Sequence, residues 1–477
     1  MLILVQQNLY FPNQKSCNLL IKKYFPHLYF DFRMPVGIVE QIKDSLKNFN
    51  YGLFLALFIR LVIPTIYQTF RVSILGSLPN ASQINIASQM SWVNVLLEII
   101  EESILLPLYF CLGNSLNDIK ETKNKVKTGI LVATLVYFAF SATTSALAWP
   151  LIKIMGQNET LHEVTVDYIR IELISIVFGS LSKILMVVFV MLEWNGMLYL
   201  ILIIQMVTSS GFDYALAIGA DLEVMGIAYS SVCSSLIVFV FCFAITWSKL
   251  KFNFKNDLKK NYDFAWLKTW TKVGFFSGLD SFIRNAVYLV VVLRAMNLLN
   301  EQGSYWVANT FIWSWLLLPI IPLSDLIKQD VASSLHGSNQ KPFWIKILPY
   351  VTFVVITLII WSATYPGWFW FVTNVLKADE PDLVLDLICH LAPFYACFTF
   401  GTVLNGIFYG LGRTDLLALK AFLGNCLIVT LFLLFSNGIL FETNVFSVAT
   451  IFGIGLTFGT AMTLILFVFI ARKNPMM

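Results

Sequence analysis

Charge is what this 477-residue chain has least of. Asp, Glu, Lys and Arg make up only 13% of it, about half the share of a soluble domain. A chain this poor in charge and 58% hydrophobic would expose an untenable apolar surface in water. The mean hydropathy of +0.75 points the same way. Histidine is scarce and scattered, at His27, His162, His336 and His390. His162-Glu163 begins a zinc-protease pattern, but Val166 stands where the second histidine belongs. The seven cysteines have no metal or redox spacing, and no pair sits in the short loops, so no structural disulfide is expected. No Gly-x-x-x-x-Gly-Lys loop offers ATP drive, and β-barrel alternation is absent. Residues 1–50 have no apolar core ending in small residues, so no cleavable signal peptide is expected.

Long apolar runs dominate instead. They are read at 51–76, 85–112, 128–155, 166–192, 196–218, 225–248, 270–297, 304–335, 345–373, 383–409, 416–436 and 445–471. Each is long enough to cross a bilayer as a helix. The expected fold is therefore an all-α polytopic membrane protein with twelve transmembrane helices in two pseudo-symmetric six-helix lobes. The N-lobe takes 51–248 and the C-lobe 270–471. A tail (1–50), a linker (249–269) and a short end (472–477) flank them. Most of the 32 basic residues fall in the tail, the loop near 120–127, the linker, the loop near 328–346 and the end. Lysine and arginine favour the cytoplasmic side, so both termini are expected there. The tail before Met34 is expected to be dispensable, with Met34 as the start.

The halves match in sequence. Met155-Gly156-Gln157-Asn158-Glu159-Thr160, then Asp167, corresponds to Leu376-Lys377-Ala378-Asp379-Glu380-Pro381, then Asp386. Glu101 corresponds to Asp325. Doubling of this kind is common in secondary transporters.

Ile74-Leu75-Gly76-Ser77-Leu78, Gly211-Phe212-Asp213 through Gly219, Gly226-Ile227-Ala228-Tyr229-Ser230-Ser231 and Gly410-Leu411-Gly412-Arg413-Thr414 together resemble landmarks of the multidrug and toxic compound extrusion (MATE) transporters. The resemblance spans about residues 40 to 471. It implies two six-helix lobes around a central cavity and an antiporter that exports small amphipathic or cationic compounds against H+ or Na+. It also implies a small-molecule substrate, contact with membrane lipids, no cofactor, no nucleic acid, a monomer, and a place in the plasma (inner) membrane. A lipid-linked oligosaccharide flippase of the same superfamily is the alternative, and a membrane-embedded enzyme a remote one. The departures matter. Arg71 stands where many members carry an acid, Ser209 where many carry Asn, and Arg284 where the Na+-coupled branch often has Glu.

Ionisable residues inside spanning helices are costly and mark candidate sites. Arg71 and Asp213 fall at matched depth and suit a pair, either a fixed structural one or a coupling element. Glu98, Glu101 and Glu102 are read as one face of helix 2, either holding a proton or neutralised by Arg71 or Lys183. Asp280 and Arg284, four apart, are expected to pair with each other. Asp325 is interfacial or the second lobe's counterpart of Glu101. Glu172 stays ambiguous beside Arg170 and Lys183. His390 is either a titrating group or a structural one. Asn80-Ala81-Ser82 and Asn158-Glu159-Thr160 are glycosylation sequons on the outer side.

Overall fold

A computed structural model describes residues 46–47 and 49–473, less 81, 114, 116, 117, 193, 253–261, 335–342, 412 and 437–443. The tail, Met34 and most of the linker lie outside the described residues.

Helix α1 (Tyr51–Leu75) is capped by Asn50, whose side chain accepts from Leu53 N at 3.0 Å. A short helix, Ser82–Ser88, leads into α2 (Met90–Gly113). Asp118 caps α3 (Ile119–Ala146) by accepting from Lys120 N and Glu121 N. After Leu147 a second piece, Ala148–Met155, ends on Gly156. Gly156 has φ +77°, a left-handed cap that glycine adopts without Cβ strain. Helices α4 (His162–Met191), α5 (Asn195–Phe212, continued as a π turn to Gly219) and α6 (Glu223–Lys249) complete the first half.

The second half follows suit. Helix α7 is Leu267–Val287, with a π stretch Tyr288–Leu293 and a last turn Arg294–Leu298. Helix α8 breaks by 55° between Gln302–Leu316 and the piece from Ile320, where Pro319 and Pro322 deny backbone donors. Helices α9 (Phe343–Thr364), α10 (Pro381–Gly410), α11 (Thr414–Ser436) and α12 (Val445–Lys473) close the chain. There is no strand among the described residues.

Ten of these helices are long and apolar enough to cross a membrane, and the bent α8 makes an eleventh. The twelfth segment is α2, whose Glu98, Glu101 and Glu102 dilute its apolar character. The expected span 128–155 is in fact two pieces, and 85–112 starts in the short helix before α2.

The pairings within the first six helices recur six helices later. Helix α4 packs on α6 and α10 on α12; α5 packs on α6 and α11 on α12; α1 packs on α5 and α7 on α11. Each half is thus a bundle of the same plan. Leu185, Phe189, Ile201, Val238 and Cys242 form an apolar core where α4, α5 and α6 meet. Outward, Leu135, Phe138, Ile359 and Phe469 are all more than 60% exposed. Apolar surface of that kind is stable only with lipid as solvent. The chain is an integral multi-pass membrane protein.

The two halves meet along α2 and α7. Gly274 and Gly278 lie so close to Ser103 that a Cβ on either would overlap it. Small residues let membrane helices approach this way. Trp270 Nε1 adds a 2.9 Å bond to the Ile104 carbonyl.

Candidate functional site

Arg71 enters the N-lobe from α1, two turns past Pro64. Asp213 comes from α5, at the point where the helix widens into its π turn. Such turns are frequent at functional positions because they re-aim side chains. Asp213 is fully buried. Arg71 Nε donates to Asp213 Oδ2 at 3.1 Å and Nη2 to Oδ1 at 3.3 Å, a two-pronged contact. Nη2 also reaches Ser231 Oγ and the Ile227 carbonyl on α6. The pair expected from matched depth is formed.

A third ionisable group joins it. Glu172 of α4 places Oε1 3.9 Å from Arg71 Nη1. It also accepts from Ser231 Oγ at 2.8 Å, Ser175 Oγ at 3.1 Å and Tyr168 Oη at 3.3 Å. The Arg71 guanidinium lies over the Tyr67 ring at 5.4 Å. One guanidinium therefore faces two buried carboxylates. Of these groups, Arg71, Glu172, Tyr67, Tyr168, Ser175 and Ser231 line a cavity of about 480 Å³ between α1, α2, α4, α5 and α6, edged by Lys183, Gln205 and Trp306, while Asp213 stays buried outside the lining.

The three acids of α2 do not share a face. Successive residues sit 100° apart on a helix, so Glu101 and Glu102 diverge. Glu101 turns to α4, where Lys183 Nζ donates to it at 2.7 and 2.8 Å and Ser180 Oγ at 3.1 Å. Glu102 turns to α7 and pairs with Arg284, across the meeting of the halves. Glu98 is exposed one turn before it. Arg284 reaches Glu102; the pairing of Arg284 with Asp280 falls on a side chain that lies outside the described residues.

Asp325 binds Lys328 Nζ at 2.8 Å, one turn on along α8, and is about half exposed. His390 Nε2 lies 2.7 Å from Thr450 Oγ1, between the rings of Phe394 and Phe446. It ties α10 to α12 and lines none of the cavities described here.

A second cavity, of about 280 Å³, lies within the C-lobe. Arg284, Asn285, Trp313, Asn405 and Lys420 line it. Lys420, on α11, carried no signal in the sequence beyond being a lone cation in an apolar span. The serines of α6 were equally silent, since small hydroxyls are common in membrane helices.

Residues 111–215, from the end of α2 to the π turn of α5, match the MatE family model. Solved structures match over nearly the whole chain. An inward-facing multidrug resistance MATE family transporter of the MOP superfamily has 14% identity and a TM-score of 0.69 over 88% of this chain and 97% of its own. The chain has the MATE fold. A eukaryotic MATE transporter gives 13% identity and a TM-score of 0.64 over 91% of this chain and 96% of its own. A MOP superfamily transporter from Pyrococcus furiosus, described by a binding pocket of reversed polarity that suggests a different function, gives 14% and 0.65 over 90% and 97%. No curated protein sequence matches significantly. Arg71 and Glu172 line the cavity of the first lobe, and Arg284 with Lys420 that of the second.

Proposed function

We propose that this protein is a secondary antiporter of MATE type that exports small amphipathic organic compounds against an inward flow of H+, by alternating access. The observation that supports it most is the ratio of one Arg71 guanidinium to two buried carboxylates, Asp213 and Glu172, beside a cavity that Arg71 and Glu172 line. Asp213 holds the closer, two-pronged contact and is matched in charge. Glu172 is then the surplus anion. A buried carboxylate without its own cation is most cheaply neutralised by a proton. Glu172 is accordingly the proton carrier, and its three hydroxyl neighbours hold it in place in either state.

Na+ is the weaker choice of coupling ion. It would need several oxygen ligands with no competing cation, and Arg71 already occupies the centre of the set. A cationic cargo, which the family resemblance implies, would likewise have to displace Arg71. The Pyrococcus furiosus likeness, with its pocket of reversed polarity, supports a cargo that is not a simple cation.

A flippase of lipid-linked saccharide is the second reading. The observation that favours it is the outward face of α1, the helix that carries Arg71, where Leu55, Ile59, Ile66 and Phe70 are exposed. A plasma-membrane location with cytoplasmic termini completes the proposal, on the lysine asymmetry of the loops.

The test is transport by purified protein in proteoliposomes. An amphipathic fluorescent compound should move when a pH gradient is imposed, Na+ alone should not drive it, and Glu172→Gln should abolish the gradient's effect. Transport driven equally well by Na+ at constant pH, or a Glu172→Gln protein that still follows the pH gradient, would overturn proton coupling. Movement of a labelled lipid but of no soluble compound would favour the flippase.

A further inference from the structure

The two lobes carry opposite charge at equivalent helices. Helix α5 brings a carboxylate, Asp213, into the N-lobe. Its counterpart six helices on, α11, brings the ammonium of Lys420 into the C-lobe. Among the described residues the charged lining of the C-lobe cavity is Arg284 and Lys420, with no carboxylate. Arg284 is matched by Glu102 on α2. Lys420 has no such match. Its Nζ donates to Asn405 Oδ1 on α10 at 2.9 Å, and among the described residues no carboxylate comes within ion-pair distance. Asn405 Oδ1 is also held by Thr463 Oγ1 of α12 at 3.0 Å, so the amide is fixed as a shared acceptor. An ammonium has three donors. One goes to Asn405, and the cavity offers the rest a partner.

A lysine near a helix end can extend its charge to the interface. Lys420 does not. It is six residues into α11, only partly exposed, and turned inward to α10 and α12. Keeping an ammonium there without a carboxylate is unfavourable unless an anion visits it. The remaining lining suits an aromatic or amphipathic body: Trp313 and Phe398 on one side, and a glycine floor at Gly401, Gly455 and Gly459 on the other. Trp313 Nε1 is fixed by Tyr395 Oη at 3.1 Å, and its ring packs edge-on against Phe398.

We propose that the C-lobe cavity is a binding site for an organic anion, whose carboxylate or phosphate pairs with Lys420 beside Arg284 while its apolar body lies against Trp313. This rests on the transporter reading and names its substrate class: an amphipathic compound with an anionic group, taken in the lobe that does not carry the proton. A free organic acid and an anionic lipid headgroup share this chemistry.

Equilibrium binding to the full chain in nanodiscs of neutral phosphatidylcholine tests it, with Trp fluorescence as the readout. The probes are 1-naphthoate, 1-naphthyl phosphate and the matched cation 1-naphthylmethylammonium. Wild type should prefer the anions by about tenfold or more, the value of one charge-assisted hydrogen bond. Lys420→Met and Asn405→Asp should each weaken anion binding by roughly ten- to a hundredfold, the first by removing the cation and the second by supplying an internal anion. Lys420→Arg should keep most of it, and so controls for folding. Adding anionic phospholipid to the nanodisc separates the sources: displacement of naphthoate assigns the site to a headgroup, and its absence to a soluble anion. Equal or tighter binding of the cation, or unchanged anion affinity in both Lys420→Met and Asn405→Asp, would overturn the proposal. Binding needs no turnover, so a protein that binds anions but fails to transport them contradicts the antiporter reading and leaves the site standing.

Discussion

Arg71 Nε and Asp213 Oδ2 lie 3.1 Å apart, joining the first helix to the π turn of the fifth across 142 residues of sequence. Neither residue is stable alone in an apolar bundle, and each is the reason the other is tolerated.

Arg71→Ala should therefore leave Asp213 buried and unmatched and cost about 3–5 kcal/mol; Asp213→Ala should cost less, because Glu172 at 3.9 Å still faces the guanidinium. The double change to neutral residues should cost clearly less than the two added together, because the residues are in contact. Thermal unfolding of the four proteins in detergent gives the coupling directly. Arg71→Asp should bring the lobe closer to the acidic pattern of many MATE transporters and make transport cation-dependent. Additive losses, with no ion dependence in Arg71→Asp, would show that the two do not act as a unit.

Glu172→Gln should separate coupling from folding. The amide keeps hydrogen-bonding capacity towards Ser231, Ser175 and Tyr168 but carries no proton. Thermal stability near pH 7 should fall little. Uptake driven by a pH gradient should fall at least about tenfold, the range expected when a titrating group is removed. Concentration-driven exchange should survive. A variant whose gradient-driven and exchange rates fall together would assign Glu172 to the structure of the lobe and not to coupling.

How far the sequence could be read follows from what each residue answers to. The helices were legible because span length is set by the bilayer and by nothing local. The Arg71–Asp213 pair was legible because each residue counts five or six positions back from a glycine, Gly76 or Gly219, at the end of helices expected to run the same way. The divergence of Glu101 and Glu102 was not, since it depends on which neighbours flank α2, and Lys183 and Arg284 come from distant helices. The Glu102 contact of Arg284 was not legible either: i, i+4 spacing points only to the local Asp280, whereas the approach of α2 at Ser103, permitted by Gly274 and Gly278, gives Arg284 a partner from the other half. Lys420 went unnoticed for the opposite reason: its meaning is that no carboxylate among the described residues lies at ion-pair distance, and no spacing records an absence.

Gly76 should be intolerant of any side chain. It ends α1 in ordinary helical backbone, φ −72°, so strain is not the reason. A Cβ there would overlap the backbone of Leu376 and Lys377, and Lys377 Nζ donates to the neighbouring Ser77 Oγ at 2.7 Å. This contact joins an N-lobe helix end to the loop before α10. Gly76→Ala must push the two apart at this end of the helices, the outer one in the proposed orientation. A cysteine introduced at Gln68, which lines the cavity below, should then react faster with an impermeant thiol reagent added outside, and turnover should fall. Unchanged reactivity would mean that the ends stay together by shifting elsewhere.

Asp379 lies in that same loop, between α9 and α10. Partial burial, with Glu380 beside it as a second negative charge, pushes its carboxyl up to about 6. The sign of the effect on stability follows. A carboxyl whose pKa is higher folded than unfolded is bound to its proton more tightly by the fold, so its contribution is complete below the unfolded value of 3.8 and is lost as pH rises through about 6. At neutral pH the ionised group works against the fold. Asp379→Asn cannot ionise, so it should stabilise the protein above pH 6 and make no difference below about pH 4. The full shift of roughly two units would be near 3 kcal/mol, but the side chain is only about half buried, and screening by solvent should leave under about 1 kcal/mol. For a chain of this size that is about 1–2 °C in melting temperature. Melting curves of wild type and Asp379→Asn from pH 4 to pH 8 should therefore coincide at the acid end and separate through pH 5–6, with the variant higher. Curves that separate at pH 4, or a variant that melts lower at pH 8, would show that Asp379 serves the loop as a hydrogen-bonding group and not as a strained charge.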